Sequence, residues 1–472
     1  MSRSMTKIRL STKFAYGVGA IGESSVIWLF STLAFFYYNQ VIGLSGTLAG
    51  LAVLIATIFD AISDPLVGSI SDNYKSRLGR RHPFMYISFI PVSIFYVLLF
   101  TPKPDWDLSQ IQLFWWMFVC ASFTRIGMTF FEVPHRSLGS EMSRSYTERT
   151  SIFATRELLG WMGGLFNAFL AYTIFFKDTP DYMPGTKNPE PWIYYGMTGA
   201  TIMCFSVLVT YFGTLKYRDN SQIDIPVFNL KLIFNQIFIA LKNRSFLIFF
   251  FGYLFIAVSW GMGSSLQIYM NTYFWEFKSI MLASYLGIYV LSTISAFLLV
   301  PALVKVIEKR TILLFAIMFA ALIPPIPIFL FINGFLPASG TWNLFYATIP
   351  FVYVGNTCLS SSAIIRESML GDISDEVELD SKIGQQGLMF ASSSLIGKLN
   401  TGLGILMAGI ALEFISFPQG VEVNPSAENI FNLAMVQGPL VAILMFIPFG
   451  IFSMYKIDRH RHEEIIAKLE QT

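Results

Sequence analysis

The chain has 472 residues, of which 54% are hydrophobic, 16% are aromatic and only 13% are charged. This composition, with a mean hydropathy of +0.57, excludes an ordinary soluble protein and indicates a polytopic membrane protein. The formal net charge of +2 gives no sign of a nucleic-acid partner, so the positions of the charges are more informative than their sum.

Twelve apolar segments are each long enough to cross the hydrocarbon core of a bilayer, which needs about 20 residues. They cover residues 14–39, 46–71, 84–101, 111–134, 151–176, 191–215, 245–274, 280–304, 312–332, 342–370, 383–416 and 431–454. We therefore predict an all-α fold with twelve transmembrane helices.

Lysine and arginine lie predominantly on one side of this arrangement, which the positive-inside rule identifies as the cytoplasm. Only four lysines fall on the opposite side: Lys103, Lys177, Lys187 and Lys278. Three further cations fall inside predicted spans: Arg125, Arg156 and Lys398. Both termini are therefore predicted to be cytoplasmic.

The longest cytoplasmic connection, residues 216–244, separates a first half (1–215) from a second half (245–454) and a tail (455–472). Apolar residues repeat at helical spacing over 230–241, which predicts an amphipathic helix on the inner leaflet that acts as a structural linker. Two six-helix halves joined in this way are typical of major facilitator transporters.

The stretch IFDAISDP in the second span places two aspartates where an isolated carboxylate would be costly. Asp60, Ser63 and Asp64 share one helical face, and Pro65 frees a backbone carbonyl near Ala61. Hard cations prefer such oxygen ligands, and a bound cation or proton relieves the repulsion between the carboxylates. The alternative is that Asp64 caps a kinked helix while Asp60 pairs with a base.

Helix four carries a second polar stripe, formed by Arg125, Thr129 and Glu132. Other polar residues within spans are Glu23, Arg156, Glu157, Lys398 and Asn400. Charged residues within spans usually face water or a ligand path, which favours a lined cavity for Glu132 and Arg156. For Glu157 an internal salt bridge is the preferred interpretation.

Three stretches, DAISDPLVGSISDNYKSRLGRRHPF, EVPHRSLGSEMSRSYTERT and MLGDISDEVELDSK, resemble the glycoside-pentoside-hexuronide cation symporters over essentially the whole chain. The resemblance implies a major facilitator fold and symport driven by sodium, lithium or protons. It implies that Asp60 and Asp64 bind the cation with help from Thr129. It also implies that Glu132 and Arg156 bind the substrate and that Lys398 lies near the cation.

Several positions depart from the family pattern. Ser63 replaces an expected asparagine, which leaves the choice among sodium, lithium and protons open. Glu23 and Ser24 replace a lysine–aspartate pair, and Arg136 and Ala363 replace two tryptophans, so a melibiose-like galactoside is not expected.

Three arginines in the first half, Arg125, Arg136 and Arg156, suggest a substrate with a carboxylate, such as a uronide, because guanidinium binds carboxylates bidentately. The stretch SYTERT also resembles eukaryotic lysophospholipid symporters, so a lipid-like substrate is the alternative within transport.

Charges near the cytoplasmic face suggest a gate. Asp372 and Asp375 belong to the second half, whereas Asp72 and three arginines belong to the first: Arg77, Arg80 and Arg81. Opposite charges across the halves would latch the inward opening shut, and a solvated acidic loop is the equally weighted alternative.

Two expectations concern coupling. All four histidines, His82, His135, His460 and His462, are assigned to loops or the tail, so carboxylates would have to carry any coupling protons. Lys398, taken as the only cation in the spans of the second half, is predicted to pair with Asp60 or Asp64 when the cation is absent.

No nucleotide-binding motif is present, so an ion gradient should drive transport. We expect a monomer in a bacterial inner membrane, with no enzymatic activity and no cofactor besides the coupling ion. A membrane sensor that has lost transport but kept the fold is the alternative outside transport.

Overall fold

The structure is a computed structural model that describes residues 8–74, 76–143, 145–218, 243–381, 386–421 and 424–469. Within these ranges, only the backbone is described for residues 28–32, 146–147, 380–381, 386–396 and 400–401. Every regular element in the described ranges is helical, which confirms the predicted all-α class.

The first half contributes six long helices. They are α1 (Leu10–Thr32), α2 (Gly46–Asn73), α3 (His82–Leu99), α4 (Gln110–Glu141), α5 (Tyr146–Leu170) and α6 (Pro191–Thr214). Side chains define some of their ends: Ser109 and Gln112 form a capping box that satisfies backbone N–H groups at the start of α4.

The second half contributes six more, followed by a short tail helix. They are α7 (Arg244–Tyr269), α8 (Ser279–Leu303), α9 (Lys309–Ile332), α10 (Trp342–Ser381), α11 (Gln386–Phe414), α12 (Ala427–Phe452) and the tail helix α13 (Arg459–Leu469). Each predicted apolar segment coincides with one of α1–α12. Among the described residues, ten of these helices are long and apolar enough to cross a membrane, and α1 and α11 contain residues whose side chains lie outside the description.

The chain forms two compact units. The first comprises Met1–Phe228 with Pro418–Asn424, and the second comprises Asn229–Phe417 with Pro425–Thr472. The predicted amphipathic helix over 230–241 lies outside the described residues.

Glycine allows close helix crossings in both units. A Cβ on Gly163 of α5 would lie 2.7 Å from the Cα of Ile21 on α1, and a Cβ on Gly404 would lie 2.4 Å from the Cα of Gly261. Small residues of this kind let membrane helices approach closely. In the first unit, the crossing brings Arg156, two turns before Gly163, beside Glu23 of α1.

Two helices extend well beyond their predicted apolar spans. Helix α4 continues past residue 134 to Glu141, and α10 continues past residue 370 to Ser381. The acidic stretch GDISDEVELD is therefore helical, and its interpretation as a solvated loop is wrong. Apolar windows mark the bilayer crossing, whereas helix propagation needs only the backbone hydrogen bonds and continues into polar sequence.

Candidate functional site

Thr129 of α4 lies at the centre of a group of oxygens contributed by α2. Its hydroxyl oxygen lies 2.9 Å from Asp60 Oδ1 and 3.1 Å from Asp64 Oδ1. The Ser63 hydroxyl is 3.0 Å from the same Thr129 oxygen and also donates to the backbone carbonyl of Asp60. Because α2 remains helical through Pro65, the residues at i, i+3 and i+4 stay on one face. The four residues predicted to bind the cation thus lie together.

One of the two carboxylates in this oxygen cluster belongs to an ion pair. Asp60 is buried and forms an ion pair with Arg125, with 3.4 Å between Oδ2 and Nη1. Asp60 therefore has a partner base, as the structural alternative expected. The carboxylates of Asp60 and Asp64 also lie on either side of the Thr129 hydroxyl, and a cation or proton between them would relieve their mutual repulsion.

A small cavity of about 20 Å³ adjoins the cluster, large enough for one water-sized group. Its lining residues are Val26, Ile27, Asp60, Thr124, Arg125, Met128 and Glu132.

A second charged cluster joins α1, α4 and α5. Glu23 Oε2 lies 2.7 Å from Nη2 of Arg156, and Glu23 Oε1 lies 3.4 Å from Nη2 of Arg136. Arg136 also pairs with Glu132 at 2.6 Å, and Arg156 pairs with Glu157. The structure thus brings the predicted residues Glu23, Glu132 and Arg156 together.

Arg136 is the linking residue that the sequence marked only as a replaced tryptophan. Arg136 follows Glu132 by four residues, so it extends the polar stripe of Arg125, Thr129 and Glu132 by one turn. This spacing would have been enough to detect it. The predicted end of the span at residue 134 excluded it.

In the second unit, Lys398 lies half-buried on α11. Arg366, which the topology placed on the cytoplasmic side, is instead buried in α10 within the candidate span Trp342–Leu379. Lys398 is therefore not the only cation in the spans of this half, and that expectation is wrong. The Arg366 guanidinium lies 4.6 Å from the centroid of the Tyr253 ring and donates to the Ser362 hydroxyl at 2.9 Å.

Two histidines also contradict their predicted placement. His135 lies inside α4 and is fully buried, with Nε2 2.9 Å from the backbone carbonyl oxygen of Tyr16. His82 is the first residue of α3, is also buried, and hydrogen-bonds the Thr214 hydroxyl. The expectation that all histidines occupy loops or the tail is wrong because both helices begin or end beyond the apolar windows.

Three of the four predicted gating residues of the first unit, Asp72, Arg80 and Arg81, are paired within it. Arg80 and Arg81 are buried and contact Glu141 at 3.0 Å and 2.9 Å, and Arg81 also pairs with Asp72. Arg77 is exposed. Glu141, the shared partner, was missed because it follows the predicted span.

The acidic gating residues are likewise paired within the second unit. Asp372 is buried and lies 2.7 Å from Lys309 of α9. Asp375 lies 3.2 Å from His462 of the tail helix, and the same ring nitrogen is 3.6 Å from Asp372. A latch between Arg80 and Asp375 remains a prediction.

Two lysines on the predicted outer side have perturbed acidities. A hydrogen bond to Glu190 raises the pKa of Lys103, with 2.9 Å between Nζ and Oε1. Burial lowers the pKa of Lys187, which donates to the Asn424 side chain at 3.2 Å.

Comparison with known proteins places these features in a family context. Residues 15–459 match the family described as "MFS/sugar transport protein". The chain is 24% identical to the uncharacterized symporter YnaJ of Bacillus subtilis (strain 168), covering 100% of this chain and 96% of that protein. It is 23% identical to the isoprimeverose transporter of Lactiplantibacillus pentosus, covering 98% of this chain and 91% of that protein.

Solved structures agree with the fold. The crystal structure of the nucleoside transporter NupG superposes with a TM-score of 0.61 at 14% identity, covering 95% of this chain and 99% of NupG.

Proposed function

Because this chain belongs to the major facilitator family of sugar transport proteins, we propose that it couples the movement of sodium, lithium or protons to uptake of a sugar, glycoside or uronide. The chain is a multi-pass membrane transporter, and relatives named as a symporter and as an isoprimeverose transporter support this direction. It would operate by alternating access as a monomer in an inner membrane, with both termini cytoplasmic and no catalytic step.

The observation that carries the proposal is the convergence of carboxylate and hydroxyl oxygens around Thr129. A hydroxyl supplies one hydrogen, yet the Thr129 oxygen lies within 3.1 Å of Asp60 Oδ1, Asp64 Oδ1 and the Ser63 hydroxyl. The Ser63 hydrogen is directed to the backbone carbonyl of Asp60. The Thr129 hydrogen can point to only one of its neighbouring oxygens at a time, so two carboxylate oxygens and two hydroxyl oxygens converge on one spot.

A monovalent cation suits this arrangement because it attracts all four oxygens at once. Carboxylates and hydroxyls are the ligands that hard cations prefer. A shared proton would also reduce the charge, which is why sodium, lithium and protons remain the three candidate coupling ions.

The substrate would contact the second charged cluster, where Glu23, Glu132 and Arg156 meet, together with Arg125. Cation binding changes the charge beside Arg125, which contacts Asp60 and lines the cavity that also includes Glu132. This shared wall supports a coupling between cation and substrate binding. Lys398 would compensate the aspartates when the cation has left.

Uptake by proteoliposomes tests the proposal. Labelled isoprimeverose, a glucoside and a glucuronide are presented with an inward gradient of sodium, lithium or protons imposed one at a time. We expect at least one solute to accumulate above its external concentration under one gradient, and to lose that accumulation in Asp64→Asn.

The exposed carboxylate Asp181 provides the matched control, because Asp181→Asn removes a charge from the same unit outside the site. Equilibration without accumulation under every gradient would contradict cation coupling. Equal accumulation in wild type and Asp64→Asn would contradict the assigned site.

A further inference from the structure

A groove lies on the surface of the second unit, where α9 begins and α12 ends. Its volume is about 340 Å³, and its lining residues are Arg310, Thr311, Leu314, Phe315, Met318 and Phe449. The two polar residues belong to the first turn of α9, and the other four residues are apolar. The groove therefore has one polar end and an apolar remainder.

This polarity matches the boundary between water and the hydrocarbon core of a bilayer. Helix α9 is a candidate membrane span that starts at Lys309, so Arg310 lies at the membrane surface. Residues Arg310, Leu314 and Met318 follow one another at intervals of four and share one helical face. Because Met318 comes eight residues after Arg310, the apolar part extends about 12 Å towards the bilayer centre.

The guanidinium of Arg310 is available to a ligand. The residue is exposed, and its Nη2 donates to the backbone carbonyl of Ser453, which directly follows α12. Within the described ranges, no carboxylate forms an ion pair with it. The adjacent Glu308 does not line the groove and accepts a hydrogen bond from the Arg459 backbone at 3.2 Å. Arg310 therefore retains donors for an anion at the polar end.

The chain around this end of the groove is predominantly basic. Stretches 304–311 and 453–459 meet there, since Arg459 Nη2 donates to the Val304 carbonyl at 2.8 Å. They hold five bases and two carboxylates: Lys305, Lys309, Arg310, Lys456 and Arg459, against Glu308 and Asp458. One of these bases, Lys309, is neutralised by Asp372. The remaining positive excess attracts anionic lipid headgroups to the membrane surface.

We propose that this groove binds an anionic phospholipid, with its phosphate at Arg310 and an acyl chain along Leu314, Phe315 and Met318. Basic pockets between membrane helices are suited to such headgroups. A lipid bound there contacts both α9 and α12 and stabilises their packing. It is a structural ligand of the second unit, independent of the coupling ion and of the transported substrate.

The donors at the polar end match the chemistry of a phosphate. The fork of Arg310 can donate to two phosphate oxygens at once, and the Thr311 hydroxyl lies in the same wall. The start of α9 also favours negative charge, because the Glu308 side chain does not cap the first N–H groups of the helix. A lipid held by apolar contacts alone would show no preference among headgroups.

Three probes separate the headgroup from the acyl chains. Palmitoyl-oleoyl phosphatidylglycerol is anionic, palmitoyl-oleoyl phosphatidylcholine has the same chains with no net charge, and glycerol 3-phosphate has the phosphate without chains. Each is titrated against thermal unfolding of the purified full chain in detergent micelles, because a ligand that binds only the folded state raises its stability. We expect phosphatidylglycerol to act at a concentration about tenfold below that of phosphatidylcholine, and glycerol 3-phosphate to have no effect.

Substitutions at Arg310 locate the effect. Arg310→Gln should remove the preference for phosphatidylglycerol, and Arg310→Lys should retain part of it, because lysine keeps the charge but loses the fork. The exposed Arg218 of the first unit supplies the control, since Arg218→Gln should behave as wild type.

A second pair of variants keeps the test independent of Arg310. Thr311→Asp should also weaken the preference, because its carboxylate repels the phosphate, whereas Thr311→Asn should keep it. Thr311 is exposed, and an aspartate suits the first turn of a helix, so both variants should fold.

Four results would overturn the proposal. They are equal effects of the two phospholipids on wild type, an undiminished preference in Arg310→Gln, an equal loss in Arg218→Gln, and stabilisation by glycerol 3-phosphate. The last result would identify a site for soluble anions instead of a lipid site. If Arg310→Gln fails to fold, the comparison of Thr311→Asp with Thr311→Asn decides, and equal preferences in those two variants would also overturn the proposal.

Discussion

Replacement of Thr129 by valine tests the oxygen cluster with minimal change in shape. The substitution keeps the volume of the side chain and removes the hydroxyl that lies 2.9 Å and 3.1 Å from the carboxylate oxygens of Asp60 and Asp64. A hydrogen bond to a charged group contributes about 1.5–3 kcal/mol, and the single hydroxyl hydrogen makes one such bond at a time. Without cations, Thr129→Val should therefore lose about 1.5–3 kcal/mol of folding stability.

The same change should weaken cation binding, because one of four candidate ligand oxygens is lost. We expect the cation concentration that gives half of the maximal thermal shift to rise roughly tenfold, which corresponds to about 1.4 kcal/mol. Cation titrations of the purified protein, followed by thermal unfolding, measure both effects.

Thr57 of α2 offers a matched control. It is fully buried, and its hydroxyl donates to the Val53 carbonyl of its own helix. Thr57→Val should leave the half-maximal cation concentration unchanged. Wild-type cation affinity in Thr129→Val, or an equal loss in both variants, would refute the assignment of the cation to this cluster.

Three further changes probe helix packing, the tail and the coupling of charges. Gly163→Ala should lower the free energy of unfolding by about 1–3 kcal/mol, because the added Cβ would lie 2.7 Å from the Ile21 backbone. Gly164→Ala is the control: its added Cβ would have its nearest contact at 3.7 Å, so thermal unfolding should be nearly unchanged. His462→Ala should make the tail helix more susceptible to limited proteolysis, because the His462 ring contacts Asp375. His460→Ala should not, since the His460 side chain is 82% exposed. Equal rates of proteolysis in both variants would count against docking of the tail. Lys398→Met should alter cation affinity if the lysine compensates the empty aspartate site, and unchanged affinity would remove it from the mechanism. Charge reversal at Arg80 together with Asp375 should restore uptake lost in either single reversal, and normal uptake by both single variants would contradict the latch.

The hydrophobic pattern was sufficient to predict where the helices cross the membrane. A helix needs about 20 apolar residues to cross a bilayer, so each crossing can be recognised as an apolar segment in the sequence. Helix ends were harder to predict: α4 continues into polar sequence, so Arg136 and His135 were wrongly placed outside its span. Arg366 was counted among the cytoplasmic charges although it falls within the predicted span 342–370. Apolar windows carry no information about a helix that continues past the bilayer.

In the candidate site, too, sequence patterns predicted some features and missed others. Helical spacing alone put Asp60, Ser63 and Asp64 on one face, and the family resemblance added Thr129. The pairing of Glu23 with Arg156 depends on the α1–α5 crossing at Gly163, which no local pattern specifies. Ion pairs between helices are set by tertiary packing, so sequence reasoning could name the charged residues but not their partners.

The central claim is that Asp60 and Asp64 bind the coupling ion, and cation-dependent stability tests it without knowledge of the substrate. Thermal unfolding of purified wild type, Asp64→Asn and the control Asp181→Asn would be measured against sodium, lithium and pH. We predict that sodium or lithium stabilises wild type and Asp181→Asn but not Asp64→Asn, or that a pH dependence of stability is lost only in Asp64→Asn. The same response in all three proteins, or no response to any of the three ions, would contradict the account.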